Sequence, residues 1–322
     1  MLKRKMYDTL LAWKKAEKKE CLLVKGARQV GKTYLIRQFG KNEYDSFVEI
    51  NFHEQKSLKI VFDGDKTPEE IYKRLTANIP GIRLIPGKTL IFLDEIQKCA
   101  DARTALKFLA EDGRYDIIAS GSLLGLSYGK DDDNEVEPIE SVPVGYEKPV
   151  MMYSMDFEEF LWAYGYGDET IAYLKSFYTE KEKIPPEIQE KFEALLREYL
   201  VVGGMPEVVA SFAEFKDFTK VHEIQENILS SYADDISQHA KGAEKVKVRA
   251  CYDSIPRQLA KENKKFKYSE VESKATARKY GDSVQWLRDA NMAYMCYNTT
   301  TPILPLKAYE KENEFKLYMA DT

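Results

Sequence analysis

No apolar run in the 322-residue sequence approaches the ~20 residues that a bilayer-spanning helix needs, and no secretory h-region stands near its start. Both lacks exclude a helical membrane anchor read from hydropathy and lead us to expect a soluble, cytoplasmic chain with no membrane partner. Cysteine is sparse. The four present, Cys21, Cys99, Cys251 and Cys296, are scattered without any CxxC spacing, which argues against a zinc site and fits a reducing compartment. There is no internal repeat and no low-complexity linker. What is there is ordinary for a globular chain of two or three units, with 31% charged and 44% hydrophobic residues. The net charge of -5 speaks against nucleic-acid binding by the whole surface. Charge is nevertheless uneven: residues 240–279 hold twelve Lys/Arg against five Asp/Glu, whereas KDDDNEVEPIE at 130–140 is strongly acidic. The opening stretch, MLKRKMYDTLLAWKKAEKKE, carries Leu2, Met6, Leu10 and Trp13 at helical spacing and reads as a leading amphipathic helix.

Short apolar runs then alternate with helical patterns. LLV at 22–24, SFVEINF at 46–52, TLIFLD at 89–94, DIIAS at 116–120 and KPVMMYSM at 148–155 predict five strands of a parallel sheet with crossover helices. From Met155 to about Gln238 the strand signal vanishes and successive helices are expected, with a capped corner at GGMP, 203–206. A further helical section over 246–292 leads into MAYMCYNTTTPILPL, a candidate strand pair or wing, and EFKLYMADT reads as a strand opening another unit. The expected boundaries are 1–155 for the α/β core, 156–239 for a helical lid, 240–300 for a winged-helix-like module, and 301–322 for the start of a truncated C-terminal domain.

The strongest local signal is GARQVGKT at 26–33, placed between a strand and a helix. Gly26, Gly31, Lys32 and Thr33 satisfy G-x-x-x-x-G-K-[ST], and that context makes the pattern a phosphate loop. Its glycines allow backbone torsions that turn N–H groups inward, and the next helix aims its positive end at phosphate. On this reading Gly26, Ala27, Arg28, Gln29, Val30, Gly31, Lys32 and Thr33 cradle ATP, Lys32 reaches the β and γ phosphates, and Thr33 ligates Mg2+. The bland alternative is a glycine turn. A second motif, TLIFLDEIQ, offers Asp94 to the metal's water shell and Glu95 as the group that polarises an attacking water. A solvated acid pair is the plainer reading of these two. One strand intervenes in the chain between the two motifs and an acid follows Asp94. These features point to the additional-strand, catalytic-glutamate class of P-loop NTPase with a three-layer α/β/α sheet. No N/TKxD guanine-reading motif is present. Ser120, followed by Gly121 and Ser122, ends its strand where a γ-phosphate sensor would stand, or is simply a serine at a turn.

The segments LLVKGARQVGKTYLIRQF, IFLDEIQ, IIASGSLLG, ESVPVGYE, YSMDFEEFLWA and VVGGMPEVV, in that order from residue 22 to about 209, resemble bacterial and archaeal AAA+ family ATP-binding proteins. In that group the AAA module precedes a C-terminal domain of uncharacterised function related to restriction-endonuclease-like folds. The resemblance implies an ATPase core, a lid, a winged-helix-like module and then the last domain, with Asp321 where the family continues into D-T-G-L. Two departures stand out: the downstream acid and lysine of a nuclease-like site are absent, and Tyr146 occupies a position where a basic residue is expected.

Hydrolysis in such folds draws on an arginine from a neighbour or the lid. Arg28, Arg83, Arg103 and Arg114 are the candidates, and a slow basal ATPase, raised by homo-oligomerisation or a protein partner, is expected. The alternative is a nucleotide-gated DNA-binding or protein-docking regulator with little turnover, DNA being met through 240–292 with Arg278 and Lys279 near the start of a reading helix.

Overall fold

The computed structural model describes residues 2–17, 19–122, 145–240 and 242–321. The acidic run at 130–140, the LLG of SGSLLG and the ESVPV of ESVPVGYE lie outside the described residues. The chain forms two compact units, Met1–Val201 and Val202–Thr322.

In the first unit, β1 (Cys21–Gly26), β2 (Ser46–Asn51), β3 (Thr89–Asp94), β4 (Asp116–Ser122) and β5 (Glu147–Met151) form a parallel sheet in the order β2-β3-β4-β1-β5. Every residue of β3 is buried, as an unbroken TLIFLD requires when both faces of a parallel sheet are covered. In chain order SFVEINF separates the two nucleotide motifs, but in space it is the outer strand β2. The strand lying between β1 and β3 is β4, so the additional-strand arrangement is present through a different segment.

Helices α1 (Lys5–Lys14), α2 (Lys32–Glu43), α3 (Pro68–Asn78) and α4 (Ala100–Asp112) connect or flank these strands. Leu23, Ile50, Leu93 and Ala119 pack in one cluster with Ile71 and Leu75 of α3 and Ala102, Leu106 and Leu109 of α4. Strand alternation turns Leu22, Phe92 and Ile118 to the other face. Ile36 and Phe39 of α2 are fully buried, and Phe39 meets Tyr7 of α1 edge to face at 5.5 Å. Burying such a phenylalanine is worth roughly 1.5–3 kcal/mol, enough to fix α1 on α2. Chain punctuation follows residue chemistry. Pro68 opens α3 ahead of Glu69 and Glu70, and Gly113 stops α4 in the left-handed region at φ 65.

Strand β5 ends at Met151, four residues before the expected limit, because the chain turns into the capping box of Asp156 and Glu159 that starts α5 (Phe157–Ala163). Helices α6 (Asp168–Glu180) and α7 (Pro186–Val202) follow. The Tyr199 hydroxyl donates to the Met155 carbonyl, and its ring packs against Phe157 and Phe160.

The second unit contains α8 (Pro206–Phe215), α9 (Phe218–His239), α10 (Gly242–Leu259), α11 (Ala277–Asp289) and an antiparallel pair, β6 (Ala293–Thr299) with β7 (Glu310–Met319). The unit boundary therefore falls inside the run of helices between 156 and 239. The strand read from EFKLYMADT as the opening of another unit is here the partner of β6. Its alternating Phe315 and Leu317 are buried, and Phe315 stacks on Phe266 at 5.6 Å, which explains why it pairs within this unit. Asp321 accepts from the Gly204 N–H through both carboxylate oxygens, at 3.1 and 3.0 Å, and so holds the GGMP corner. Among the described residues no helix is long and apolar enough to cross a membrane.

Candidate functional site

All five strands run the same way, so the segments leaving β1 and β3 and the ends of β2 and β4 gather at one edge of the sheet. Register does the alignment: Asn51 is opposite Asp94, and Gly26 is opposite Ser122. Gly26 has no room for a side chain, since a Cβ there would lie 2.3 Å from the Met152 carbonyl oxygen. The chain then makes a tight turn in which Gln29 (φ 64) and Gly31 (φ 90) are left-handed, and Gly31 caps α2. Ala27 and Val30 are buried beneath the turn, while Arg28 and Gln29 are exposed.

Lys32, the first residue of α2, is buried, and its ammonium donates to the carbonyls of Gly26 (3.0 Å) and Ala27 (2.7 Å). Burial lowers its pKa to about 8; Glu95 and Asp94 oppose that fall, and Arg28 adds to it.

Asp94 is 2% exposed and collects four donors. Thr33 Oγ1 (3.0 Å) and Asn51 Nδ2 (3.1 Å) reach Oδ2, while the Ser120 hydroxyl and the Glu95 N–H (3.1 Å) reach Oδ1. These donors match the lone pairs that a carboxylate offers. Burial raises the Asp94 pKa and the Glu95 charge adds to it, against the opposing bonds from Ser120, Thr33 and the Glu95 amide. Because Thr33 commits its hydroxyl proton to Asp94, both of its oxygen lone pairs remain for a cation. Thr33 Oγ1 is thus a hard oxygen donor that suits Mg2+ with water completing its shell, and Asp94, 3.0 Å away with its four sites taken, meets that shell by exchanging one of its donors for a water.

Glu95 itself lies in the left-handed region at φ 53, only partly buried, and its Oε2 accepts from Gln97 Nε2. The strand ends with one carboxylate held inside and the next turned elsewhere.

Residues 18–161 match the family model of an AAA domain. Residues 193–322 match that of a domain of unknown function (DUF8612). No curated protein matches the chain. A Walker-type ATPase of Pyrococcus abyssi superposes with a TM-score of 0.56 at 14% identity, over 99% of this chain and 94% of that one. AMPPCP-bound DnaA from Aquifex aeolicus gives a TM-score of 0.37 at 11% identity, over 88% of this chain and 86% of that one. The P. abyssi likeness shows a shared fold. The AAA-domain match, together with the five-stranded parallel sheet, supports an AAA-type ATPase core over residues 18–161.

The arginines divide. Arg103 is buried against Glu147 at 3.4 Å. Arg114 pairs with Asp112 and Glu69 and lies 5.0 Å over the Tyr72 ring. Arg114 and Arg83 both stand before strand starts, at the sheet edge about 20 Å from the phosphate loop by strand length. Of the four, Arg28 stands in the loop. Two residues of this cluster have no counterpart among the sequence expectations: Asn51 and Gln97. Asn51 carried one usable sign, a polar residue closing an apolar strand next to where the Asp94 strand would pair.

Proposed function

We propose that the first unit is a Mg2+-dependent ATPase of the AAA+ class, binding ATP on residues 26–33 and hydrolysing it with Glu95 as the group that polarises water. The observation that carries the reading is the convergence of Lys32, Thr33, Asp94 and Ser120 on one edge of the sheet. Backbone N–H groups of the loop and the α2 N-terminus receive the phosphates. Lys32 leaves the Gly26 and Ala27 carbonyls to neutralise the β and γ phosphates. Thr33 would hold Mg2+ and Asp94 would meet its water shell, and the bound ion would offset charge developing on the phosphoryl oxygens. Glu95, freed from Gln97, orients the attacking water. Ser120 is the sensing group, since its hydroxyl is bonded to the carboxylate that answers to the metal. Residues 156–239 serve as the lid through which nucleotide state becomes movement.

The test is Mg2+-dependent phosphate release by the purified chain over a range of protein concentrations, with and without duplex DNA. A slow rate per molecule that climbs with concentration is expected, in line with an arginine supplied by a second copy. Absence of release at every concentration sinks the assignment.

A second reading, DNA binding through residues 240–292, has its own support. Helix α10, a short 3-10 turn at Tyr268–Glu270, α11 and the β6–β7 pair succeed one another as in a winged helix, and Arg278 and Lys279 are exposed in the first turn of α11. A salt-dependent shift of labelled duplex that is lost when both are replaced by alanine supports it. No binding at ~50 mM salt removes it.

A further inference from the structure

Arg4 precedes α1 as its N-cap residue, in a stretch whose lysines lead one to read it as solvated surface. Instead its side chain is 6% exposed, as is that of its partner Glu159. The guanidinium makes bonds in three directions: Nε to Glu159 Oε1 (3.1 Å), Nη1 to the Val30 carbonyl (2.9 Å) and Nη2 to the Tyr153 carbonyl (2.6 Å). Glu159 Oε1 also accepts from the Lys5 N–H at 2.7 Å, and Glu159 is the third helical residue of α5, closing its capping box with Asp156. One buried pair therefore ties together the start of α1, the phosphate loop, the exit from β5 and the first turn of α5. The neighbouring contacts of Lys3 with Asp168 and of Lys5 with Asp156 are exposed and add little.

A buried ion pair is often no more than a staple. The bond to Val30 gives this one a further consequence. The Val30 carbonyl and the Gly31 N–H belong to one planar trans peptide and point in opposite directions. Holding the carbonyl against Arg4 directs the Gly31 N–H away from it. Lysine could satisfy Glu159, but only the planar fork serves all three acceptors at once.

We propose that Arg4 is a positioning residue of the phosphate loop: it fixes the Val30–Gly31 peptide so that the Gly31 N–H is presented to a nucleotide phosphate. Glu159 holds Arg4 in place, so that loop order is linked to the seating of α5. The proposal rests on the ATP-binding reading of residues 26–33.

The test measures Mg–ATP affinity by calorimetry and melting temperature in parallel, on the full chain, for Arg4→Lys and for the double variant Arg4→Met with Glu159→Gln. Arg4→Lys keeps the charge beside Glu159, and the double variant removes both charges, so each lessens the folding defect of a lone buried carboxylate. Both are expected to bind Mg–ATP about 10- to 100-fold more weakly, the loss that follows from one charge-assisted hydrogen bond. The weakening should persist in whichever variant keeps its melting temperature. Affinity equal to that of the unaltered chain in a folded variant, or affinity that simply follows melting temperature across the set, overturns the inference alone. An unaltered chain that binds no Mg–ATP overturns it together with the reading beneath it.

Discussion

Thr33 Oγ1 donates to Asp94 Oδ2 across 3.0 Å, joining the first turn of α2 to the end of β3. The bond fixes the helix that follows the glycine loop directly against the strand that carries Asp94. Thr33→Val, which keeps the shape and removes the hydroxyl, should raise the Mg2+ concentration needed for half-maximal turnover by about 10- to 100-fold. Thr33→Ser should restore it. An unchanged Mg2+ titration in the valine variant counts against a metal role for this residue.

Lys32 makes binding sensitive to pH. With its pKa lowered to about 8 by burial, the ligand-free chain begins to lose this charge as pH rises through 8. Bound phosphate favours the ammonium and raises its pKa, so binding takes up a proton above that point. Mg–ATP affinity should be level below pH 8 and fall with increasing pH above it. Calorimetry in buffers of different ionisation enthalpy measures that uptake, and a flat affinity from pH 7 to pH 10 contradicts it.

Glu95→Gln should keep ATP bound and lower turnover by about 10²- to 10⁴-fold, the range for removal of a general base. Single-turnover phosphate release separates the two effects. Turnover at the unaltered rate would remove Glu95 from the mechanism.

Gly26 is needed for the space it leaves. In Gly26→Ala the added Cβ meets the Met152 carbonyl oxygen at 2.3 Å, so β1 and the exit of β5 must separate. Overpacking of this kind costs about 1–3 kcal/mol. Chemical denaturation should read that loss along with weaker nucleotide binding, and an unaffected midpoint would contradict the close approach.

In the second unit, Asp321→Ala removes the acceptor of the Gly204 N–H. A loss of roughly 1–2 kcal/mol is expected, read as earlier unfolding of the Val202–Thr322 unit. Equal stability would show that water replaces the carboxylate without cost.

Much of the first unit was legible in the sequence, because unbroken apolar runs such as TLIFLD have few outcomes other than buried parallel strands. The glycine loop and the acid pair were legible for a similar reason: their backbone demands are local. Asn51 and Arg4 were harder, since each acts through a partner far along the chain, Asp94 for one and Val30, Tyr153 and Glu159 for the other. A basic N-terminal stretch gives no hint that its second charge is buried while its neighbours are solvated. The β7 strand misled for the opposite reason. Its alternation is real, but alternation does not say which surface will cover Phe315 and Leu317.

The left-handed backbone at Glu95 bears on a pair that sequence treats as interchangeable. Consecutive residues of a continuing strand project to opposite faces of the same sheet, and both would then be enclosed by helices. By breaking that alternation where β3 stops, a single torsion leaves Asp94 among its four donors and turns Glu95 toward Gln97. Two like charges on adjacent residues thereby occupy separate surroundings, one enclosed among donors and one at the partly open end of the strand.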